Sequence, residues 1–232
     1  MFIIDNMLGV LGGTVFLKNN LLKLEEEKKI KTVYGTVIAN LGEGFVFIQR
    51  HGKDNVPPHK TNHYANILAL KKLGVSEVLG VNSVGSLKYR IKPGSLVVPH
   101  DYMQFFPKTY FDNKMVCIVP KLCDSLRKKI ISACEQLGQR VVKRAIYFQT
   151  IGPRLETVAE VKFIRHFADI VGMTLADEAT LAQEQGLCYA SICTVDNYAH
   201  GISKQLTYEE IVENASKKAR IISDVIALMV KS

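Results

Sequence analysis

The feature that most constrains this sequence is the alternation of strand-like and helix-like runs along its whole length. Six apolar runs enriched in β-branched residues are typical of strands, and they lie at Val33–Ala39, Phe45–Ile48, Val78–Val81, Leu96–Val98, Ala145–Phe148 and Leu187–Val195. Such alternation favours an α/β fold. We predict a single domain over residues 1–232, with a mixed central β-sheet flanked by helices.

Helix signals fill the gaps between these strands. The sequence predicts one helix over Asn62–Leu73, and it predicts that Asp124 caps a second helix running to Leu137. Two capping boxes predict further helix starts, at Thr157-x-x-Glu160 and Thr207-x-x-Glu210. We expect one last helix to reach the C-terminus with a single apolar stripe formed by Ile211, Ala215, Ala219, Ile222 and Ile226.

Composition excludes several classes of protein. Hydrophobic residues make up 47% of the 232 residues, which excludes a disordered chain. The most apolar stretch, Ile221–Val230, is shorter than the roughly 20 residues that a membrane span needs. The N-terminal segment Met1–Asp5 lacks the basic region of a signal peptide. We therefore expect a cytoplasmic protein without a membrane partner.

The chain is basic, since 30 Lys and Arg residues against 22 Asp and Glu give a net charge of +8. This charge fits either a nucleic-acid surface or anionic substrates. The cations are spread along the chain, with short pairs at Lys28-Lys29 and Lys217-Lys218 in stretches predicted to be helical. Aromatic residues do not interleave them in a stacking pattern, so we expect no nucleic-acid partner.

The cysteines form an odd set without a C-x-x-C pair. The five are Cys117, Cys123, Cys134, Cys188 and Cys193. This pattern fits neither a disulfide framework nor a zinc ribbon, so we expect reduced, mostly buried thiols and no metal.

Three strand ends carry glycines and polar residues typical of an anion site. The segment Gly9–Thr14 ends in Gly-Gly-Thr, whose backbone N–H groups and hydroxyl can surround an anion. Gln49–Gly52 supplies Arg50 as a bidentate fork and His51 as a donor, and Val81–Leu87 again ends in small polar residues. Because ligands collect at the carboxyl ends of strands in α/β sheets, the sequence predicts a phosphate pocket there.

Further motifs follow in a fixed order: Pro58-x-Lys60-x-Asn62-x-x-Ala65-Asn66-Ile67, Gly85-Ser86-Leu87, Pro93-Gly94-x-Leu96-Val97, Gly152-Pro153-Arg154-x-Glu156-Thr157-x-Ala159-Glu160 and Gly172-Met173-Thr174-x-x-x-Glu178. Together with Gly-Gly-Thr and Arg-His-Gly, these motifs span nearly the full chain. The sequence resembles the family of trimeric purine nucleoside phosphorylases and methylthioadenosine phosphorylases.

The resemblance implies a role for each matching residue. Phosphate would be bound by Thr14, Arg50, His51, the backbone of Ser83 and the hydroxyl of Thr174. The nucleoside would contact Met173 under the ribose, Leu155 beside the base, and Glu156 and Asn197 at the base edge. The resemblance also implies a homotrimer or a dimer of trimers. It implies no metal or organic cofactor, since inorganic phosphate is a co-substrate.

The segment around Asn197 bears on the choice of base. Similar enzymes that prefer 6-aminopurines carry Asp-x-Asp where this chain has Asn197-Tyr198-Ala199. With Asn197 beside Glu156, we expect phosphorolysis of 6-oxopurine nucleosides such as inosine, guanosine or 5′-methylthioinosine. A second register places Asp196 at the first Asp and favours 5′-methylthioadenosine. A third hypothesis is a non-catalytic nucleotide or nucleic-acid binder with the same fold.

The sequence departs from the family pattern in two places. Val15 replaces the glycine that usually follows Gly-Gly-Thr, which predicts a reshaped phosphate loop. The segment between residues 108 and 120, which in relatives completes the neighbouring subunit's 5′ pocket, is shortened, and neither Tyr110 nor Cys117 matches the expected residue. His200 and Tyr208 are candidates for the 5′ pocket or for ordinary surface positions.

Overall fold

The architecture comes from a computed structural model that describes residues 7–18, 21–203 and 207–231. The segment Met1–Asp5, on which the expected location depends, lies outside the described residues. Within the described ranges, no helix is long and apolar enough to cross a membrane.

Strands and helices alternate along the chain. The strands are β1 (Leu8–Gly12), β2 (Glu26–Thr32), β3 (Gly35–Gly42), β4 (Phe45–Gln49), β5 (Glu77–Ser86), β6 (Leu96–Val97), β7 (Asp101–Met103), β8 (Val141–Val142), β9 (Ile146–Gln149), β10 (Ile170–Gly172) and β11 (Cys188–Tyr198). The helices are α1 (His63–Lys72), α2 (Asp124–Gln136), α3 (Val158–Ile164), α4 (Leu175–Glu184), α5 (Tyr208–Ser216) and α6 (Ala219–Val230).

The strands form one mixed sheet, which confirms the predicted α/β fold. At its centre β1 is parallel to both β4 and β5, and β5 is parallel to β11. Antiparallel pairs join β2 to β3, β3 to β4, β5 to β10 and β6 to β11. A sheet with both kinds of pair agrees with the mixed sheet expected from the sequence.

The central strand β1 is buried on both faces of the sheet. On one face Leu11 belongs to a core cluster with residues of α1 and α4. On the other face Val10 packs in a cluster with residues of α2 and α6. Helices on both faces explain why this strand is apolar without alternation.

The strand register brings two of the three predicted strand ends together, whereas the third, predicted at Val81, lies inside β5, which continues to Ser86. Gly12 at the end of β1 lies opposite Gln49 on one side and Val81 on the other. The backbone N–H of Arg50 donates to the Gly12 carbonyl at 2.7 Å. The residues that follow β1 and β4 therefore emerge together beside the middle of β5.

The charged strand β2 was not predicted, and it corrects two expectations. Lys28-Lys29 lies in this strand rather than in a helix, and the strand predicted over Val33–Ala39 begins only at Gly35. Among the described residues β2 pairs with β3 alone, at the edge of the sheet, and its side chains are largely exposed. Charged residues suit such an edge, because they discourage pairing with another chain. They also explain why the strand was not predicted, since it lacks an apolar run.

Two helix boundaries differ from those predicted. Cys123 occupies the N-cap of α2, so Asp124 is the first helical residue, where its carboxylate accepts from Arg127 at 2.8 Å. The predicted C-terminal helix is two helices separated by a turn at Lys217-Lys218. The turn lets α5 pack against β11 while α6 packs against α2. Both predicted capping boxes, at Thr157 and Thr207, are confirmed.

The expectation of fully reduced cysteines was wrong. Cys123 and Cys188 form a disulfide with an S–S length of 2.01 Å, although they are 65 positions apart in the sequence. The fold places the N-cap of α2 beside the first residue of β11, and a cysteine stands at each position. Of the others, Cys134 and Cys193 are buried thiols and Cys117 is exposed.

Candidate active site

A cavity of about 560 Å³ lies where the ends of β1, β4, β5, β10 and β11 meet. The nine predicted site residues all line it: Thr14, Arg50, His51, Ser83, Leu155, Glu156, Met173, Thr174 and Asn197. His200 and Tyr208 line the same cavity, although Tyr208 is also exposed to solvent. The structure thus brings together predicted site residues that are up to 183 positions apart, from Thr14 to Asn197.

The Gly12-Gly13-Thr14 loop packs too closely on its neighbours to carry side chains at the glycines. A Cβ on Gly12 would lie 2.3 Å from the ring of Phe47, and one on Gly13 would lie 2.2 Å from Nη1 of Arg50. The glycines are needed here for close approach rather than for a positive φ. Val15, which departs from the family pattern, is fully buried in the core beneath this loop and does not line the cavity.

Arg50 is held mainly by the protein itself. Its Nε and Nη2 donate to the two carboxylate oxygens of Glu178, the latter at 3.1 Å. Nη2 also donates to the Leu11 carbonyl and Nη1 to the Val81 carbonyl, both at 2.9 Å. The bidentate pair of hydrogen bonds predicted for a phosphate is therefore made to Glu178 instead. One N–H on Nη1 remains for a ligand.

Glu178 was named from the sequence only as part of a motif, and its role in the site was missed. It is fully buried in α4, and its carboxylate also accepts from the Tyr189 hydroxyl at 2.8 Å, with His63 Nδ1 at 3.6 Å. Burial raises the pKa of the Glu178 carboxyl, but the charge of Arg50 and the neighbouring His63 outweigh it and bring the pKa to about 2. Glu178 is therefore ionised at neutral pH and cancels the charge of Arg50.

His51 is neutral at physiological pH. Burial and the nearby Arg50 lower the pKa of its ring to about 4. Nδ1 lies 2.9 Å from the Val56 carbonyl, which can only accept, so this nitrogen carries the proton. The neutral ring then has its lone pair at Nε2, so His51 is not the donor expected from the sequence but can accept a hydrogen bond from a protonated phosphate oxygen.

Two consecutive buried hydrogen bonds orient the hydroxyl of Thr174. Ser191 donates to Oδ1 of Asn82 at 2.7 Å, and Nδ2 of Asn82 donates to Oγ1 of Thr174 at 2.8 Å. Because Thr174 accepts from Asn82, its own O–H is free to donate into the cavity. The Tyr147 hydroxyl accepts from the backbone N–H of Thr174 at 3.2 Å, which fixes the start of α4.

Glu156 and Asn197 line the part of the cavity that the sequence assigns to the base. Glu156 is buried and accepts from the Thr150 hydroxyl at 2.7 Å. Asn197 is partly exposed, and its Nδ2 donates to the Tyr198 carbonyl at 2.7 Å. Its remaining amide hydrogen can donate to the base edge, and its amide oxygen can accept from it.

Asp196 lies beside this region but does not line the cavity. β11 has a register shift between Val195 and Asn197, so Asp196 has no residue opposite it in β5. Its buried carboxyl accepts a hydrogen bond from the Ser83 hydroxyl. Asn197 thus lines the cavity, whereas Asp196 accepts from Ser83 outside its lining, an arrangement that favours the first of the two predicted registers.

The shortened segment contributes nothing to the lining of this cavity. The backbone N–H of Tyr110 donates to Glu184 and its hydroxyl donates to the Tyr64 carbonyl, both at 2.7 Å. Cys117 lines a separate cavity. Neither Tyr110 nor Cys117 therefore lies in the candidate site of the same chain, whereas His200 and Tyr208 do.

Comparisons with known proteins agree with this geometry. The sequence model of the Phosphorylase superfamily matches residues 7–231. A probable 6-oxopurine nucleoside phosphorylase of Archaeoglobus fulgidus is 46% identical over 222 residues, covering 92% of this chain and 91% of that protein. A probable S-methyl-5′-thioinosine phosphorylase of Methanocaldococcus jannaschii is 40% identical over 230 residues, covering 95% and 90%.

A solved structure is similar over nearly the whole chain. Methylthioadenosine phosphorylase from Schistosoma mansoni in complex with adenine superposes with a TM-score of 0.87 at 26% sequence identity. The match covers 98% of this chain and 91% of that one.

Proposed function

Because the chain belongs to the phosphorylase superfamily, we propose that it cleaves the N-glycosidic bond of 6-oxopurine nucleosides with inorganic phosphate. The products are the free base and a sugar 1-phosphate. The observation that carries the proposal is that one cavity contains the hydroxyls and N–H groups for a phosphate together with Glu156 and Asn197 for a base.

Phosphate is bound in this proposal by directed hydrogen bonds. The donors are the hydroxyls of Thr14 and Thr174, the backbone of Ser83 and the remaining N–H of Arg50. Held beneath C1′, the phosphate stabilises the positive charge that develops on the sugar as the glycosidic bond stretches, and then attacks that carbon. Met173 packs under the sugar. The proposal includes no metal or organic cofactor.

The base is recognised at its edge. Glu156 accepts from N1–H of a 6-oxopurine, and the amide of Asn197 donates toward O6 or N7 as negative charge builds on the leaving purine. Leu155 contacts the face of the base. Once the bound base excludes water, an amide donor opposite the amine of adenine would be unpaired, which costs about 1–3 kcal/mol. This cost favours 6-oxopurines over 6-aminopurines.

The second candidate is phosphorolysis of a 5′-methylthio nucleoside. Relatives of this chain include a protein named for S-methyl-5′-thioinosine, which has the same 6-oxo base, and one named for S-methyl-5′-thioadenosine. The location of Asp196 behind Ser83 favours the thioinosine over the thioadenosine. Tyr208 and Ile211 add an aromatic and an aliphatic side chain to the lining, which suits an apolar methylthio group.

We extend the proposal to a homotrimer or a dimer of trimers. A second cavity of about 620 Å³ shares Glu156 and Met173 with the candidate site. Phe105, Phe106 and Phe163 line it and are 61%, 76% and 57% exposed. Such an apolar surface beside the site suits a subunit contact. A monomer in sedimentation experiments would contradict this part of the proposal.

We also propose a cytoplasmic location, in which the protein would act on free nucleosides and inorganic phosphate. The disulfide between Cys123 and Cys188 bears on this proposal, because disulfides are rare in cytosolic proteins outside hyperthermophiles. Mass spectrometry after alkylation of freshly lysed cells would show whether the two cysteines are linked in the native compartment.

Product analysis tests the proposed reaction. With inosine and phosphate, ³¹P NMR should show inorganic phosphate converted to ribose 1-phosphate in step with the appearance of hypoxanthine. Ribose without a phosphorus-containing product would indicate hydrolysis and would contradict phosphorolysis.

A further inference from the structure

Arg50 has one N–H group left for a ligand, and its direction is set by the other four. Those four donate to the Leu11 carbonyl, the Val81 carbonyl and the two carboxylate oxygens of Glu178. The remaining N–H is on Nη1, the nitrogen that lies against Gly13 of the glycine loop. A small rotation of the guanidinium would therefore move this N–H relative to the loop.

Glu178 is the side chain that fixes this rotation. It accepts from both Nε and Nη2, and two parallel hydrogen bonds define the plane of a guanidinium more tightly than one. The carboxylate is in turn held by the Tyr189 hydroxyl at 2.8 Å, from β11. Arg50, Glu178 and Tyr189 are each at least 97% buried, so water cannot compensate for a displaced partner.

Glu178 does not itself line the candidate site. Its effect on a ligand must pass through Arg50. Because its charge cancels that of Arg50, the pair attracts an anion by the direction of one N–H more than by net charge. This arrangement makes binding sensitive to the position of the carboxylate.

We propose that Glu178 is a positioning residue for the phosphate co-substrate, which aims the free N–H of Arg50 at the phosphate and is itself held by Tyr189. The inference rests on the proposed function and adds a residue to its machinery. It assigns the acid of the Met-Thr-x-x-x-Glu motif a role in binding phosphate rather than in binding the nucleoside.

The principal test is Glu178→Asp, which keeps the charge and withdraws the carboxylate by one methylene. The guanidinium of Arg50 must then move toward the shorter carboxylate or lose the two hydrogen bonds to it. The KM for phosphate should therefore rise about tenfold, while the KM for inosine stays within about twofold. The dissociation constant for inorganic phosphate, measured by calorimetry without nucleoside, should rise by the same factor.

A second variant, Tyr189→Phe, removes only the hydroxyl that holds Glu178. The KM for phosphate should rise about threefold. The matched control is Tyr102→Phe, since the Tyr102 hydroxyl lies 3.0 Å from Oγ1 of Thr180 on the same helix as Glu178. This control should leave both Michaelis constants within about 1.5-fold of the wild type.

The inference is overturned if both folded variants bind phosphate as the wild type does, or if the two Michaelis constants rise equally. If Glu178→Asp does not fold, Tyr189→Phe decides by the same criteria. Wild-type turnover tests the proposed function separately. If the wild type binds phosphate but cleaves no nucleoside, the proposed function is refuted. The calorimetric comparison of phosphate binding still decides the role of Glu178.

Discussion

The Ser83 hydroxyl donates a hydrogen bond to the buried carboxyl of Asp196, next to the candidate phosphate site. Burial raises the pKa of Asp196 from 3.8 to about 7, although the Ser83 hydrogen bond opposes the shift. A carboxyl whose pKa is raised on folding binds its proton more tightly in the native state. Its contribution to stability is complete below about pH 4 and is lost as the pH rises through 7.

The variant Asp196→Asn removes this titration. The free energy of unfolding of the variant, relative to that of the wild type, should increase by about 2 kcal/mol between pH 5 and pH 8. Urea unfolding at both pH values measures the difference. A constant difference across this range would show that Asp196 does not titrate there.

The hydroxyl of Thr174 should contribute to phosphate binding. Thr174→Val keeps the shape of the side chain but removes the donor that Asn82 orients, so the KM for phosphate should rise about tenfold. Thr180→Val is the matched control, because Thr180 is likewise buried, lies within α4, and has a hydroxyl that contacts Tyr102 instead. Equal effects of the two substitutions would refute a specific role for Thr174.

Asn197 should govern the choice of base. In Asn197→Asp the side chain becomes an acceptor for the exocyclic amine of adenine, so the ratio of kcat/KM for adenosine to that for inosine should rise at least about tenfold. Asn113→Asp introduces the same chemical change at an exposed position and should leave the ratio unchanged. An unchanged ratio in Asn197→Asp would remove the base-edge role.

His51 should remain neutral through the physiological pH range. Its pKa is lowered from 6.5 to about 4, so its contribution to stability is present above pH 6.5 and is lost as the pH falls toward 4. The ring resonances of His51, assigned by comparison with His51→Asn, should not titrate between pH 5 and pH 8 in NMR spectra. A midpoint near 6.5 would contradict a buried neutral ring.

The sequence predicted the location of the site because strand ends are visible in it. Gly-Gly-Thr and Arg50-His51 each follow an apolar run, and parallel pairing then brings the two ends together. The number of hydrogen bonds that Arg50 can spare for a ligand was not predictable, since it depends on two backbone carbonyls and on Glu178, 128 residues away.

Other features were hidden for physical reasons. The disulfide joins cysteines whose proximity arises only from the packing of α2 beside β11. Strand β2 carries charges because it is an edge, and its composition resembles that of an exposed helix. Glu178 did leave a signal, because Asp177 and Glu178 interrupt an otherwise buried, apolar stretch of α4, and a buried acid requires a partner.

The release of free base from inosine, guanosine, 5′-methylthioinosine and 5′-methylthioadenosine, each with and without inorganic phosphate, tests the central claim most directly. The account predicts turnover that requires phosphate and is confined to the 6-oxopurine nucleosides. Turnover of 5′-methylthioadenosine equal to or better than that of the 6-oxo substrates would contradict the assignment of Glu156 and Asn197. Base release that does not depend on phosphate would contradict phosphorolysis itself.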